Sequence, residues 1–338
     1  MEGKLVKIGL LGMGNIGTGS YMVLEKEREG IRARTGLDFE FVKILEKFVD
    51  RPRPVKVPLE KFTQDPAEIF EDPEIDVVVE LLGGLHPAID FMIEAMNHGK
   101  HVVTANKAAV ADSYELLRDA AERNHVMFRY EASVGGAIPC LTSIQNALLA
   151  NEYEEIYGIL NGTTNYILTK MSEDGLDYET ALAQAKEKGF AEPNPTADVE
   201  GIDVANKLSI LLSLCFGVRV RPADIPTTGI TGVTKAAIEE AKARGNVIKL
   251  VANARYEGGK LVYSVKPTEL PNDHMLAAVK NELNALWLKT TEAQELMFYG
   301  KGAGPLPTGS AIMGDVIAIG CALAKNAAYD IVVPGGVR

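Results

Sequence analysis

The chain of 338 residues, 46% hydrophobic and 24% charged, has the make-up of a soluble globular enzyme and enough length for two domains, each able to bury a core. Its net charge of −11, with no block of Lys or Arg, argues against nucleic acid as a partner. Three well-separated cysteines, Cys140, Cys215 and Cys321, form neither a metal spacing nor a disulfide framework and fit reduced thiols in the cytoplasm.

The N-terminus lacks the layout of a signal peptide and runs straight into a strand. Residues 4–11 (KLVKIGLL) read as a buried parallel strand. Gly12, Gly14 and Gly17 follow as G-x-G-x-x-G, with a helix through 21–26. A structural glycine turn would carry the same signature, but a strand before it and a helix after it favour dinucleotide binding. The glycines would allow the tight turn and close approach of backbone to a pyrophosphate, and the helix start would supply N–H groups and a favourable dipole. Gly12, Gly14, Asn15, Ile16 and Gly17 are therefore cofactor candidates. Strands at 39–45, 76–82, 100–104 and 126–130 alternate with helices near 87–97 and 108–123, which predicts a doubly wound parallel sheet of Rossmann type. Ligands bind such sheets beyond the carboxyl ends of the strands, where Gly83, Gly84, Asn106, Lys107 and Glu131 fall. After the second strand, Glu46 suits the ribose hydroxyls of NAD, whereas Lys47, Arg51 and Arg53 suit a 2′-phosphate; the balance leans to NADP, with NAD as the alternative. Lys107 opens a helix, where a positive charge opposes the dipole, so the position favours a functional lysine over a structural one.

From about residue 134 the texture changes, and VGGAIP reads as a crossing between domains. A strand at 153–160 leads into Asn161, Gly162, Thr163, Thr164 and Asn165, a turn suited either to an anion or to an ordinary helix cap, before a helix from Tyr166. After a helix at 178–188, residues 189–207 (GFAEPNPTADVEGIDVANK) concentrate the chemistry. Four carboxylates, Glu192, Asp198, Glu200 and Asp203, precede Lys207 in a stretch stiffened by Pro193 and Pro195. A helix over 202–216 then sets Asp203 and Lys207 one turn apart on one face. On an open face such a pair is ordinarily a solvated ion pair worth a few tenths of a kcal/mol. At the start of a very apolar helix it reads as the edge of a core, suited with its acidic loop to a small amino-bearing substrate whose reaction needs a proton.

A hairpin over 247–256 and 260–266, strands at 283–290 and 295–299, and a last helix over 310–327 complete an α+β domain whose final helix returns to the first domain. The predicted boundaries are 1–133 with 305–338 for dinucleotide binding, and 134–304 for substrate binding and dimerisation. Neither long apolar stretch reads as a membrane span: 208–218 is too short and 311–324 carries Asp315.

GLLGMGNIG, VVVELLGG, VVTANKAAV, YEASVGGAIP, LNGTTNYIL, AEPNPTADVEGIDVANKL and YGKGAGPLPTGSAIMGDVI, spread over nearly the whole chain, together resemble homoserine dehydrogenases. The resemblance implies interconversion of L-aspartate 4-semialdehyde and L-homoserine with NADP or NAD, on the way to threonine, methionine and isoleucine. It implies that Glu192, Asp198 and Asp203 surround homoserine, that Lys207 donates and accepts the proton, and that Lys107 lies at the cofactor–substrate junction. Gly162, Thr163, Gly83 and Gly304 match positions near substrate or cofactor. Glu131, Val134, Gly136 and Ile138 match a monovalent cation site, expected to hold Na+ largely through carbonyl oxygens. A cytoplasmic homodimer is also implied. Many members carry a C-terminal ACT domain; a chain ending at Arg338 leaves no room for one, so threonine feedback through it is not expected. Two other readings stand beside this one. The first is a related oxidoreductase for another small aldehyde or amino acid. The second is a non-catalytic dinucleotide sensor, which the presence of both lysines opposes.

Overall fold

Strands β1 (Leu5–Leu11), β2 (Asp38–Leu45), β3 (Phe62–Thr63), β4 (Val77–Glu80), β5 (His101–Thr104) and β6 (Phe128–Arg129) pair in parallel in the order β3-β2-β1-β4-β5-β6. They belong to a computed structural model that describes residues 4–325. Within those residues the chain divides into two compact units, 4–137 with 304–325, and 138–303. β4 and β5 are buried throughout, as their unbroken apolar runs require of strands covered on both faces. The order reverses beside β1, so β1 and β4 flank the switch point at which open α/β sheets bind ligands.

The first helix is much longer than the sequence suggests, running Asn15–Thr35 instead of 21–26. Glycine ordinarily weakens a helix, yet Gly17 and Gly19 are buried and are needed for packing. A Cβ on Gly19 would lie 2.2 Å from the Pro305 carbonyl oxygen, and one on Gly309 would lie 2.8 Å from the Gly19 carbonyl carbon. Two helices thus cross backbone to backbone. The second of them, Pro305–Ala324, belongs to the first unit and begins earlier than the expected residue 310, with Pro305 at its first turn. The expected residues 326 and 327 lie outside those described. By length and hydropathy alone this helix could cross a membrane. Its Ile312, Met313, Val316 and Ile319 are instead core residues, at most 1% exposed, packed with Val6, Phe39 and Phe41.

In the second unit β7 (Tyr153–Ile159), β8 (Asn246–Glu257), β9 (Lys260–Pro271), β10 (Leu283–Thr290) and β11 (Gln294–Lys301) pair antiparallel in the order β11-β10-β7-β8-β9. β9 extends past the expected residue 266 through Pro267 and Pro271, which an edge strand tolerates because one side needs no ladder N–H. Helix Ile202–Phe216 has the predicted limits, closed by left-handed Gly201 and Gly217. Helix Gly162–Glu173 begins four residues before the expected Tyr166, because Asn161 caps it.

Lys249 of β8 is buried at 1% exposure, its Nζ donating to Val279 O at 2.6 Å and Asn165 Oδ1 at 2.9 Å. Burial pushes its ammonium down from 10.5 to about 8. Between those values the unfolded chain holds the proton and the folded one does not, so stability rises with pH across that window. We expect a rise of about 3 kcal/mol between pH 8 and 10.5 that disappears in Lys249→Met, measured as the difference between the two proteins in urea unfolding. Parallel pH profiles for the two would refute it.

Candidate active site and cofactor site

At the end of β1 the chain turns at Gly12, whose φ of +95° suits glycine. A Cβ there would lie 3.0 Å from the Leu81 carbonyl oxygen, and one on Gly17 would lie 2.3 Å from the Gly12 carbonyl oxygen. Those two glycines close the turn upon itself. Gly14 differs: nothing lies within 4 Å of its missing Cβ, so the space above it is open. It precedes helix Asn15–Thr35, which has no side-chain cap and no acidic residue in its first turn. N–H groups at a helix start, beside open space and with no acidic residue in that first turn, suit an anion. A cavity of about 300 Å³ lies there, lined in part by Met13, Gly14, Asn15, Arg51, Arg53 and Pro305. The donor set, the open glycine and the cavity fit a dinucleotide's pyrophosphate. We expect Gly14→Ala to leave the melting temperature nearly unchanged while weakening NADPH and NADH binding by about tenfold or more, ~1.4 kcal/mol. Unchanged binding by fluorescence titration would place the pyrophosphate elsewhere.

The residues weighed for cofactor preference are tied to one another. Glu46 Oε2 accepts the Met13 N–H at 3.2 Å, and its Oε1 accepts that of Phe48 at 2.9 Å. Arg53 Nη2 pairs with Glu46 Oε2 at 3.2 Å, both side chains being largely buried. Arg53 also donates to the carbonyls of Phe48, Val49 and Arg51. Glu46 and Arg53 thus brace the loop after β2 as a pair, whereas Arg51 is exposed beside the cavity and Lys47 is exposed over the Phe48 ring.

Beyond β4, Gly83 and Gly84 take left-handed φ values of 77° and 70°. Lys107 is the first residue of helix Lys107–Arg123, and Asn106 caps that helix by accepting the Ala109 N–H at 3.1 Å. Glu131 is buried in a short turn, with its N–H donating to Asp315 Oδ2 at 2.9 Å. Burial raises the Asp315 carboxyl to about 7, although that N–H and Arg129 pull it down. Val134 is buried, and Gly136 is left-handed at φ 57°. Ile138 is buried in the second unit. Among the described residues no group of three or more His, Cys, Asp and Glu side chains is placed to hold a metal.

In the second unit the acidic segment and the helix start after β7 converge. Lys207 and Asp203, 7% and 6% exposed, are buried, not solvated. Lys207 Nζ donates to Asp203 Oδ2 at 2.7 Å and to the Leu160 carbonyl oxygen at 2.6 Å. Asn161 joins the parts. Its Oδ1 accepts the Thr164 N–H at 2.9 Å, while its Nδ2 donates to Asp198 Oδ1 at 2.7 Å and Asp203 Oδ2 at 2.9 Å. Thr163 Oγ1 donates to the Phe190 carbonyl and lies 3.4 Å from Asp198 Oδ2. Gly162 is held against the Glu282 carbonyl oxygen, which a Cβ would approach to 2.7 Å. Glu192 lies exposed on the loop. The cap and anion readings of the Asn161 turn resolve toward the cap, with a second task added: the same amide orients two carboxylates. The grip of Asn161 on two carboxylates and the contact of the Leu160 carbonyl with Lys207 add to the candidate site what the sequence did not reveal, because Asn161 meets partners 37 and 42 residues away.

A buried Lys–Asp pair beside a second carboxylate can bind an amino alcohol and exchange its hydroxyl proton, and the first unit can hold a dinucleotide. The family model for homoserine dehydrogenase matches residues 139–317, and that for the homoserine dehydrogenase NAD-binding domain matches residues 12–131. The chain belongs to the homoserine dehydrogenase family. The homoserine dehydrogenase of Bacillus subtilis (strain 168) is 38% identical over 94% of this chain and 73% of its own length. That of Synechocystis is 41% identical over 93% of this chain and 73% of its own. The crystal structure of a homoserine dehydrogenase from Thiobacillus denitrificans superposes with a TM-score of 0.93 at 36% identity, covering 98% of this chain and 77% of that one. The S. aureus homoserine dehydrogenase at pH 7.5 gives a TM-score of 0.80 at 39% identity, covering 94% of this chain and 78% of that one. The reaction is therefore hydride-transfer interconversion of L-aspartate 4-semialdehyde and L-homoserine, in the route to threonine and methionine.

Proposed function

We propose that Lys207 is the proton donor and acceptor of this reaction, that Asp198, Asp203 and Glu192 receive the substrate's ammonium group with Gly162 and Thr163 beside it, and that Lys107 contacts the cofactor and assists the reaction. The supporting observation is the Lys207 Nζ held between the Leu160 carbonyl and Asp203 in a buried setting. Reduction of the aldehyde develops negative charge on its oxygen; an ammonium there stabilises that charge and delivers a proton, and in the reverse direction a neutral lysine removes the hydroxyl proton. The nicotinamide cofactor, when bound, supplies or takes the hydride. Gly12, Gly14, Asn15, Ile16 and Gly17 would cradle its pyrophosphate, with Gly83 and Gly304 close to it. Exposed Arg51 and Lys47 favour NADP over NAD through the 2′-phosphate.

The second unit carries substrate binding and dimerisation in this reading, and the working enzyme is a cytoplasmic homodimer. Glu131, Val134, Gly136 and Ile138 hold a monovalent cation, Na+, through oxygen ligands; the burial of Glu131 and the left-handed turn at Gly136 support it.

Purified protein should oxidise NADPH faster than NADH with aspartate semialdehyde, and in reverse should reduce NADP+ faster than NAD+ with homoserine, at equal cofactor concentration. A preference for NADH would overturn the phosphate assignment. Exchanging Na+ for a bulky organic cation should lower turnover, and light scattering should give twice the chain mass. Indifference to Na+, or a monomer at all concentrations, would remove the corresponding element.

A further inference from the structure

Glu80 is the last residue of β4 and is 0% exposed, at the end of the run Val77, Val78, Val79. A buried carboxylate is costly unless its oxygens are hydrogen-bonded, so its partners indicate what it does. Oε1 accepts the N–H of Leu82 at 2.7 Å and lies 3.4 Å from that of Gly83. Oε2 accepts the hydroxyl of Thr104 at 2.7 Å, its cross-strand partner at the end of β5. Thr104 Oγ1 in turn accepts the Asn106 N–H at 2.9 Å, and Asn106 Nδ2 donates to the Gly84 carbonyl at 2.7 Å. One carboxylate therefore gathers the loops after two adjacent strands and sets the start of the helix that Lys107 opens. The loop after β4 flanks the switch point and approaches the glycine turn where the Leu81 carbonyl lies against Gly12. Burial pushes the Glu80 carboxyl up, while Thr104, Leu82, Gly83 and Asn106 pull it down.

We propose that Glu80 is a positioning residue for the nicotinamide cofactor: it holds the loop 82–84 and the turn 104–107 in the shape that receives the cofactor, without touching it. The proposal rests on dinucleotide binding by the first unit and is independent of the role of Lys207. A fold-only role would lower stability without selecting between ligands. Glu80→Met keeps the volume and removes every acceptor, so the Leu82 N–H and Thr104 O–H lose their anchor. Glu80→Gln keeps one acceptor oxygen and should rescue in part. Thr104→Val removes only the hydroxyl and tests the same connection if Glu80→Met fails to fold.

The experiment is fluorescence titration of each purified protein with NADPH and NADH, with thermal unfolding and steady-state kinetics alongside. Expected are a rise in cofactor Kd of about tenfold for Glu80→Met, an intermediate rise for Thr104→Val, a smaller one for Glu80→Gln, and a homoserine KM within about threefold of the parent. Cofactor Kd within twofold of the parent in all the variants that fold would overturn the proposal, whatever happens to the melting temperature. A parent protein that binds neither NADPH nor NADH would instead refute the cofactor site itself.

Discussion

Lys207→Ala turns over homoserine slower by a factor on the order of a thousand, with NADPH and NADH affinity within about threefold of the parent. Proton transfer by a positioned side chain contributes roughly 10²–10⁴-fold, and in the proposed mechanism the same ammonium also stabilises the charge that develops on oxygen. Removing it breaks the Lys207–Asp203 pair, and breaking a buried pair costs about 3–5 kcal/mol of stability. Asn161 Nδ2 still donates to Asp203 Oδ2 at 2.9 Å, which offsets part of that loss. Turnover must therefore be measured below the variant's own melting temperature. Small primary amines added to the assay should restore part of the rate, as no structural loss would. Turnover within about tenfold of the parent, ~1.4 kcal/mol, would mean that another group carries the proton.

Gly19→Ala destabilises the dinucleotide-binding unit by about 3 kcal/mol or more. In an open helix the same change would gain roughly 1 kcal/mol of propensity. At Gly19 the new methyl would lie 2.2 Å from the Pro305 oxygen, 2.5 Å from its carbonyl carbon and 2.9 Å from its Cα, all backbone, so the two helices must part. Gly30 in the same helix is the control: its Cβ would meet first the flexible end of Arg34, at 3.1 Å, so Gly30→Ala should be neutral or slightly stabilising. Thermal unfolding of both variants decides the matter. Equal melting temperatures would show that the helix crossing has room the geometry denies.

The same glycines show where reading the chain in one dimension stops. Gly12, Gly14 and Gly17 were legible because a strand before them and a helix after them are local patterns. Gly19 was not, since its reason is a helix whose first residue is Pro305. Helix Ile202–Phe216 was legible to its last residue because its apolar spacing and flanking glycines are local signals. Asn161 could be read as a capping residue; that it also grips Asp198 and Asp203 could not, because nothing in its neighbours announces them. Glu80 sits inside an apolar run with no local signal, its significance residing in Thr104 across the sheet and in the backbone of a loop.

The pair Asp203–Lys207 divides the same way. Spacing on a helix is a local property, so the sequence alone determined that acid and amine share a face, and motif order along nearly the whole chain determined the family. Whether they form a solvated ion pair or a buried one depends on what covers them: the Leu160 carbonyl, Asn161 and the acidic loop, brought from elsewhere in the chain by β7 and by the packing of helix Gly162–Glu173. Composition sets which groups can ionise and periodicity sets which face they share, but burial is a property of the assembled unit, and only tertiary structure supplied it.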